Sequence, residues 1–129
     1  MYVESRNHVQ LAAARYEPTD SDEKIVREEI VYAWCLLLEK YAQPGRPIPA
    51  YSQLREELIR VGTDAGVAAL VSERWYLLDF MVRDRIRSHV IDGLNSIDLP
   101  DFLSDLKEMQ HNPELLKEKK RLVKKYILI

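Results

Sequence analysis

Hydrophobic residues along this sequence recur every three or four positions over several long stretches, which is the period of an α-helix packed on one side. The clearest stretch runs over residues 64–94. Thr63 or Asp64 is suited to cap the start of this helix, and Gly93 is suited to end it. At about 1.5 Å per residue the helix would be about 40 Å long. We therefore predict that it forms the centre of the fold, with a stripe of Val67, Leu70, Val71, Trp75, Leu78, Val82, Ile86 and Val90.

Shorter stretches with the same period predict helices before and after the central one. Gly62 is placed to end the helix that precedes it. Asp98 before Pro100, and Asn112 before Pro113, have the pattern of a polar cap followed by a proline in the first helical turn. The predicted helices cover residues 21–42, 51–61, 64–94, 98–110 and 113–126.

Prolines separate these helices. The connector 43–50 contains three prolines, which stop a helix and favour a stiff, extended path. Residues 1–18 have a weak pattern that ends at Pro18, so we interpret them as an N-terminal arm. The fold prediction is one all-α domain over residues 1–129, a helical bundle of four to five helices around one long central helix.

The composition is that of an ordinary globular domain, with 47% hydrophobic and 31% charged residues in a chain of 129. No apolar run has the 18 or more residues that a membrane span needs. The start of the chain lacks the pattern of a secretory leader. Cys35 is the single cysteine, which excludes a disulfide framework and favours a reducing compartment. We therefore expect a cytoplasmic protein without membrane contact, in which Cys35 is a small core residue.

The net charge of −2 hides a polarity along the chain. Residues 17–29 contain six acidic and two basic side chains, whereas residues 117–125 contain six basic and one acidic side chain. A chain with this polarity can pair its own ends, associate with copies of itself, or present its basic end to an anionic partner.

Residues suited to catalysis or metal binding are scattered. His8, His89 and His111 form no pair that would place two metal ligands on one side of a helix. The glycine-bearing segment 62–66 precedes a predicted helix, but it lacks the preceding strand and the lysine of a phosphate-binding loop. We expect no enzyme activity, catalytic residue, metal site, cofactor or small-molecule substrate.

The predicted central helix carries arginines within its apolar side. Arg74 and Arg85 lie on an arc shared with Leu78 and Met81, and arginine is rarely buried without partners. Three interpretations remain open. The two arginines reach the bundle edge or pair with carboxylates, they contact a partner protein, or they contact a nucleic-acid backbone together with Arg83 and Arg87.

The last helix is strongly basic. A solvated surface is the usual explanation for such a charge run, and phosphate contact is the alternative that a salt titration would test. No aromatic-interleaved RNA-binding motif accompanies these residues. The candidate contact residues on this helix are Lys117, Lys120, Arg121, Lys124 and Lys125.

Residues 48–73 have the outline of a helix-turn-helix, with a short helix, a turn at Gly62 and a following helix. Two features argue against it. The second helix would begin with Asp64 and small residues that offer few contacts to bases, and it would continue for about 28 residues without giving way to a wing hairpin.

Together, these observations predict a non-enzymatic small helical subunit or adaptor that docks into a larger multi-protein assembly. The expected partners are other proteins or further copies of this chain, with nucleic acid as a partner contacted through its phosphates. The alternative is a helix-turn-helix DNA-binding transcriptional regulator.

Overall fold

The structure is a computed structural model that describes the backbone of residues 20–70 and 79–128, and the side chains of residues 22–70 and 82–128. Five α-helices and no strand occur in these ranges, which confirms the all-α prediction. The predicted N-terminal arm lies outside the described residues. The helices are α1 (Asp20–Tyr41), α2 (Tyr51–Leu70), α3 (Asp79–Asn95), α4 (Leu99–Met109) and α5 (Pro113–Ile127).

The predicted central helix over residues 64–94 is wrong as a single rod. Its beginning belongs to α2 and its end to α3, and these two helices pack side by side in opposite directions. A Cβ atom added to Gly66 would lie 2.7 Å from Cγ2 of Ile86, and one added to Gly62 would lie 3.1 Å from Cγ1 of Val90. In one continuous helix residues 66 and 86 would be about 30 Å apart. Val71, Trp75 and Leu78 of the predicted stripe lie outside the described residues.

Gly62 and Gly93 do not end helices, contrary to the prediction. Helix α2 continues through Gly62, and α3 continues through Gly93. Each glycine lies where another helix comes close, because a Cβ atom would lie 2.8 Å from Nε1 of Trp34 at Gly62 and 2.7 Å from Cδ1 of Ile127 at Gly93. The helix-turn-helix interpretation needed a turn at Gly62, so its structural premise is wrong.

The core is built around Trp34 of α1, which is completely buried. Its indole Nε1 donates a hydrogen bond of 2.7 Å to the main-chain oxygen of Leu58, which fixes α1 against α2. All five helices contribute side chains to one continuous apolar cluster. Its largest fully buried members are Trp34, Leu54, Leu70, Val82, Val90, Leu106 and Val123.

The first turns of the last two helices are capped as predicted. The Asp98 side chain accepts a hydrogen bond of 3.0 Å from the Asp101 amide. The Asn112 side chain accepts hydrogen bonds of 3.2 and 3.3 Å from the amides of Glu114 and Leu115. Both helices also have a proline in the first turn. These caps satisfy amides that have no partner within the helix.

The connector between α1 and α2 is attached to the far end of α4. Nε2 of Gln110 donates hydrogen bonds of 3.0 Å to the Tyr41 carbonyl and 2.7 Å to the Arg46 carbonyl. Gly45, in the middle of the connector, has a φ of +80°, a conformation that other residues seldom adopt. One amide side chain therefore joins the end of α1 and the connector to the α4–α5 corner.

A second polar contact lies at the end of α1, where the Tyr41 hydroxyl donates a 2.5 Å hydrogen bond to Oε1 of Glu57. Burial and this hydrogen bond raise the pKa of Tyr41 above its ordinary value. The same hydrogen bond lowers the pKa of Glu57 below the usual carboxyl range. Oε2 of Glu57 is buried without a hydrogen-bond partner in the described part of the chain.

Replacing Tyr41 by phenylalanine should lower the free energy of unfolding by about 1–2 kcal/mol at neutral pH, because Oε1 of Glu57 loses its short hydrogen bond and retains the 3.4 Å bond from Gln53. The loss should shrink in acid, as the Glu57 carboxylate takes up a proton on passing through its lowered pKa. It should also shrink in alkali, as the wild-type Tyr41 ionises on passing through its raised pKa. Urea unfolding across pH measures it, with Tyr51→Phe on exposed Tyr51 as the control. A difference that is constant across pH would contradict the assignment.

Candidate functional site

The predicted contact residues on the arginine-bearing helix have different environments. Arg74 lies outside the described residues. Nη1 of Arg83 donates a 2.8 Å hydrogen bond to Oδ1 of Asp64, and both side chains are about half exposed. Arg83 therefore contributes to the α2–α3 contact. Arg87 is exposed, and Arg85 is half-buried.

Arg85 lies at the rim of a cleft of about 200 Å³ between α1, α3 and the end of α5. The rim carries charges of both signs, with Glu23, Arg27 and Asp92 near Arg85. Glu23 and Arg27 pair with each other at 3.5 Å. A mixed rim gives little net attraction for an anion. The floor is apolar and consists of Val26, Ile30, Trp34, Leu70, Ile86 and Val90.

The basic run on α5 contains one lysine that is buried. Lys119 is 5% exposed, and its Nζ lies 2.5 Å from Asp101 and 2.9 Å from Asp105 on α4. It also lies 5.1 Å from the centre of the Phe102 ring. Burial alone would lower the pKa of Lys119, but the hydrogen bonds from the ammonium to the two carboxylates outweigh it and raise the pKa.

Sequence analysis did not single out Lys119. The available signal was its position four residues after Leu115 and four before Val123, on the inward side of α5. Lys119 therefore serves to hold α5 on α4.

Lys120 is also engaged within the bundle, because its Nζ donates a hydrogen bond to Oε1 of Glu39 on α1. Lys120 therefore has a carboxylate partner within the bundle, and its contact with another molecule stays a prediction. A shallow surface groove along α5 is lined by Glu114 and Glu118 together with Lys117, Lys120, Arg121 and Lys124. The predicted contact residues that remain exposed on α5 are Lys117, Arg121, Lys124 and Lys125.

The outer side of α1 exposes large apolar side chains, a feature that sequence analysis missed. Tyr32 is 63% exposed, Leu36 is 47% exposed and Ile25 is 39% exposed. Their spacings of seven and four residues place them on one side of the helix, opposite the side that carries Trp34. We name Ile25, Tyr32 and Leu36 the α1 face. The helical spacing of these residues is present in the sequence, but it does not show that this side of α1 faces away from the core.

Cys35 lies between the α1 face and α5 and is half-buried. Burial raises the pKa of its thiol, despite the nearby positive charges of Lys120 and Lys124. A raised pKa keeps the thiol protonated, which makes Cys35 a weak nucleophile at neutral pH.

The described residues contain no group of three histidine, cysteine or acidic side chains that could hold a metal ion. Over the same part of the chain, no helix combines the length and the apolar character required to cross a bilayer. No protein-family model matches the sequence, and no curated protein or solved structure matches it.

Proposed function

We propose that this protein is a non-enzymatic helical subunit of the cytoplasm that docks into a larger assembly through the α1 face. The exposure of Ile25, Tyr32 and Leu36 together on one side of one helix is the observation that carries the proposal. Apolar residues exposed singly are common, but several large ones on one side of a helix, with charged residues at the edge, are typical of interaction surfaces. Tyrosine is also enriched at such surfaces, because its ring packs on apolar groups while its hydroxyl stays hydrated.

The positions of the perturbed ionisable groups support a role without catalysis. Tyr41 and Glu57 pair between α1 and α2, and Lys119 joins α5 to α4. Catalytic groups with shifted pKa values usually gather around a cleft. Neither these three groups nor Cys35, whose pKa burial raises, line the cleft beside Arg85. Their pKa shifts are explained by contacts that stabilise the bundle.

A second part of the proposal concerns nucleic acid. Lys117, Arg121 and Lys124 point outward from α5 along one groove, and lysine and arginine at such positions contact phosphates without reading bases. Glu114 and Glu118 line the same groove and reduce its positive charge. We therefore expect backbone contact that is weak and independent of base sequence.

The docking role can be tested by purifying the tagged protein from its native host and identifying what remains bound. The variant Tyr32→Glu/Leu36→Glu should lose the proteins that the wild type retains, because it places charges in the apolar face. The matched control Ser104→Glu/Lys107→Glu changes two exposed residues of α4 and should retain them. Circular dichroism checks that both variants fold. Equal losses in both variants, or no loss in either, would contradict the proposal.

The nucleic-acid role can be tested by measuring the affinity for duplex DNA and RNA against salt concentration. We expect affinity to fall steeply with salt, and Lys117→Glu/Arg121→Glu/Lys124→Glu to abolish binding. The control Lys107→Glu should leave the salt slope unchanged. An absence of binding at low salt, or binding that does not depend on salt, would remove this part of the proposal.

A further inference from the structure

We infer that the partner seated on the α1 face is a second copy of this chain, in a two-fold dimer whose antiparallel α1 helices meet at Tyr32 and Leu36. The inference rests on the proposed function, because it names the occupant of the docking surface. It is drawn from the order of acidic, apolar and basic side chains across the surface that α1 and α5 share.

Helix α5 runs beside α1 in the opposite direction. Lys120 of α5 contacts Glu39 near the end of α1, whereas Leu128 lies beside Glu28 nearer its start. The basic side chains Lys117 and Arg121 of α5 therefore lie towards the end of α1. The shared surface has an acidic end, an apolar middle and a basic end.

The acidic end is formed by Glu28 and Glu29, both exposed on α1 one turn before Tyr32. On the basic end, exposed Lys40 lies one turn after Leu36. A two-fold axis midway between Tyr32 and Leu36 places Tyr32 of each copy against Leu36 of the other. It also brings the acidic end of each copy to the level of the basic end of the other.

The direction of each side chain around α1 determines which charged residues of the two copies lie close together. At 100° per residue, Glu29 and Lys40 project on the same flank of the α1 face. Glu28 and Glu39 project on the other flank, where α5 lies. A two-fold axis brings like flanks together, so Glu29 lies near the second copy's Lys40. On the other flank Glu28 comes level with the second copy's Glu39, whose charge Lys120 already balances, and with the basic residues of α5 beside it, such as Arg121.

This self-complementarity favours a second copy over an unrelated protein as the occupant. A two-fold interface uses one patch twice, so the patch must carry both charges, placed symmetrically about its apolar centre. The α1 face has this arrangement, with an acidic pair and a basic group on opposite sides of Tyr32 and Leu36. A parallel pair of α1 helices would place like charges together.

Sedimentation equilibrium on the full chain tests the inference through charge reversal. We expect the wild type to dimerise, with a dissociation constant that rises with salt. Glu28→Lys/Glu29→Lys and Lys40→Glu/Arg121→Glu should each weaken the dimer about tenfold or more, because unlike pairs become like pairs at both symmetry-related positions. The control Glu56→Lys/Glu108→Lys reverses two exposed charges elsewhere and should dimerise as the wild type does.

Mixing the two charge-reversed variants provides a result that misfolding cannot imitate. One variant then has basic groups at both ends of the surface and the other has acidic groups at both ends. An equimolar mixture should form a heterodimer of about wild-type affinity, although each variant alone remains largely monomeric. A mixture that stays monomeric would overturn the inference, as would a monomeric wild type at every concentration tested.

The two proposals fail in different ways. If the wild type is monomeric while Tyr32→Glu/Leu36→Glu still loses co-purifying proteins, the second copy is wrong and the docking face stands. If Lys40→Glu/Arg121→Glu loses RNA binding and the mixed variants do not pair, the basic end serves nucleic acid and the dimer is wrong. Pairing of the mixed variants supports the dimer in either case.

Discussion

Replacing Trp34 by alanine is expected to lower the free energy of unfolding by about 3–5 kcal/mol, the range for truncating a large core aromatic residue. The indole is completely buried, with Leu58 and Gly62 of α2 and Gly93 of α3 beside it, so its removal leaves a cavity in the core. The substitution also removes the donor to the Leu58 carbonyl. For a domain with typical stability of about 5–15 kcal/mol, such a loss leaves a marginal fold.

Urea unfolding followed by circular dichroism measures this loss. Tyr32→Ala is the matched control, because it removes an aromatic ring two residues earlier on the same helix. Tyr32 is 63% exposed, so its replacement should change stability by about 0.5 kcal/mol or less in the monomer. If the two substitutions had similar effects, Trp34 would not be the centre of the core.

Gly62→Ala is expected to destabilise the fold by about 1–3 kcal/mol, although alanine is the better helix former by about 1 kcal/mol. The added Cβ atom would lie 2.8 Å from Nε1 of Trp34 and 3.1 Å from Cγ1 of Val90. Both of those side chains are fully buried, so they cannot move aside without disturbing other contacts. The overpacking therefore exceeds the gain in helix propensity.

Two further substitutions make this result decisive. Ala68→Gly, at an exposed position of the same helix, measures the propensity difference alone. Trp34→Phe removes the indole nitrogen that the new Cβ atom would meet, so Gly62→Ala should cost less in that background. A double-mutant cycle gives this coupling directly. If Gly62→Ala stabilised the protein by the amount that Ala68→Gly costs, the close approach of α1 and α2 would be excluded.

The helices that sequence analysis placed best are those whose ends are specified by adjacent residues. Asp98 and Asn112 cap α4 and α5 through amides two or three residues away, and a local rule is enough to find them. The all-α class followed for a similar reason, since the apolar period is also a local property. Prolines located the connector in the same way.

The division of the predicted central helix could not be obtained from local rules. Gly62 and Gly93 fit the pattern of helix ends, yet both serve as points where neighbouring helices come close. Glycine suits both a helix end and a close contact between helices, and only the tertiary packing shows which of the two applies. The apolar period continues across the α2 and α3 sequences because both helices pack on the same core, which made two elements resemble one.

The candidate site shows the same division between local and tertiary information. The charge run on α5 was evident, but the sequence did not show that Lys119 and Lys120 have carboxylate partners on α4 and α1. The sequence was sufficient to predict that the residues of the α1 face lie on one side of a helix, because their spacing is helical. Their exposure could be recognised only once the inward side of α1 was known.

The hydrogen bonds of Gln110 have a consequence for how the molecule opens. They join Gln110 to carbonyls 69 and 64 residues earlier in the chain. A surface connector normally frays independently and exchanges its amide protons within short local openings. Because the Gln110 hydrogen bonds hold this connector to the α4–α5 corner, we expect the two segments to open as one cooperative unit. Amide exchange in the connector should therefore follow the opening of the C-terminal helices.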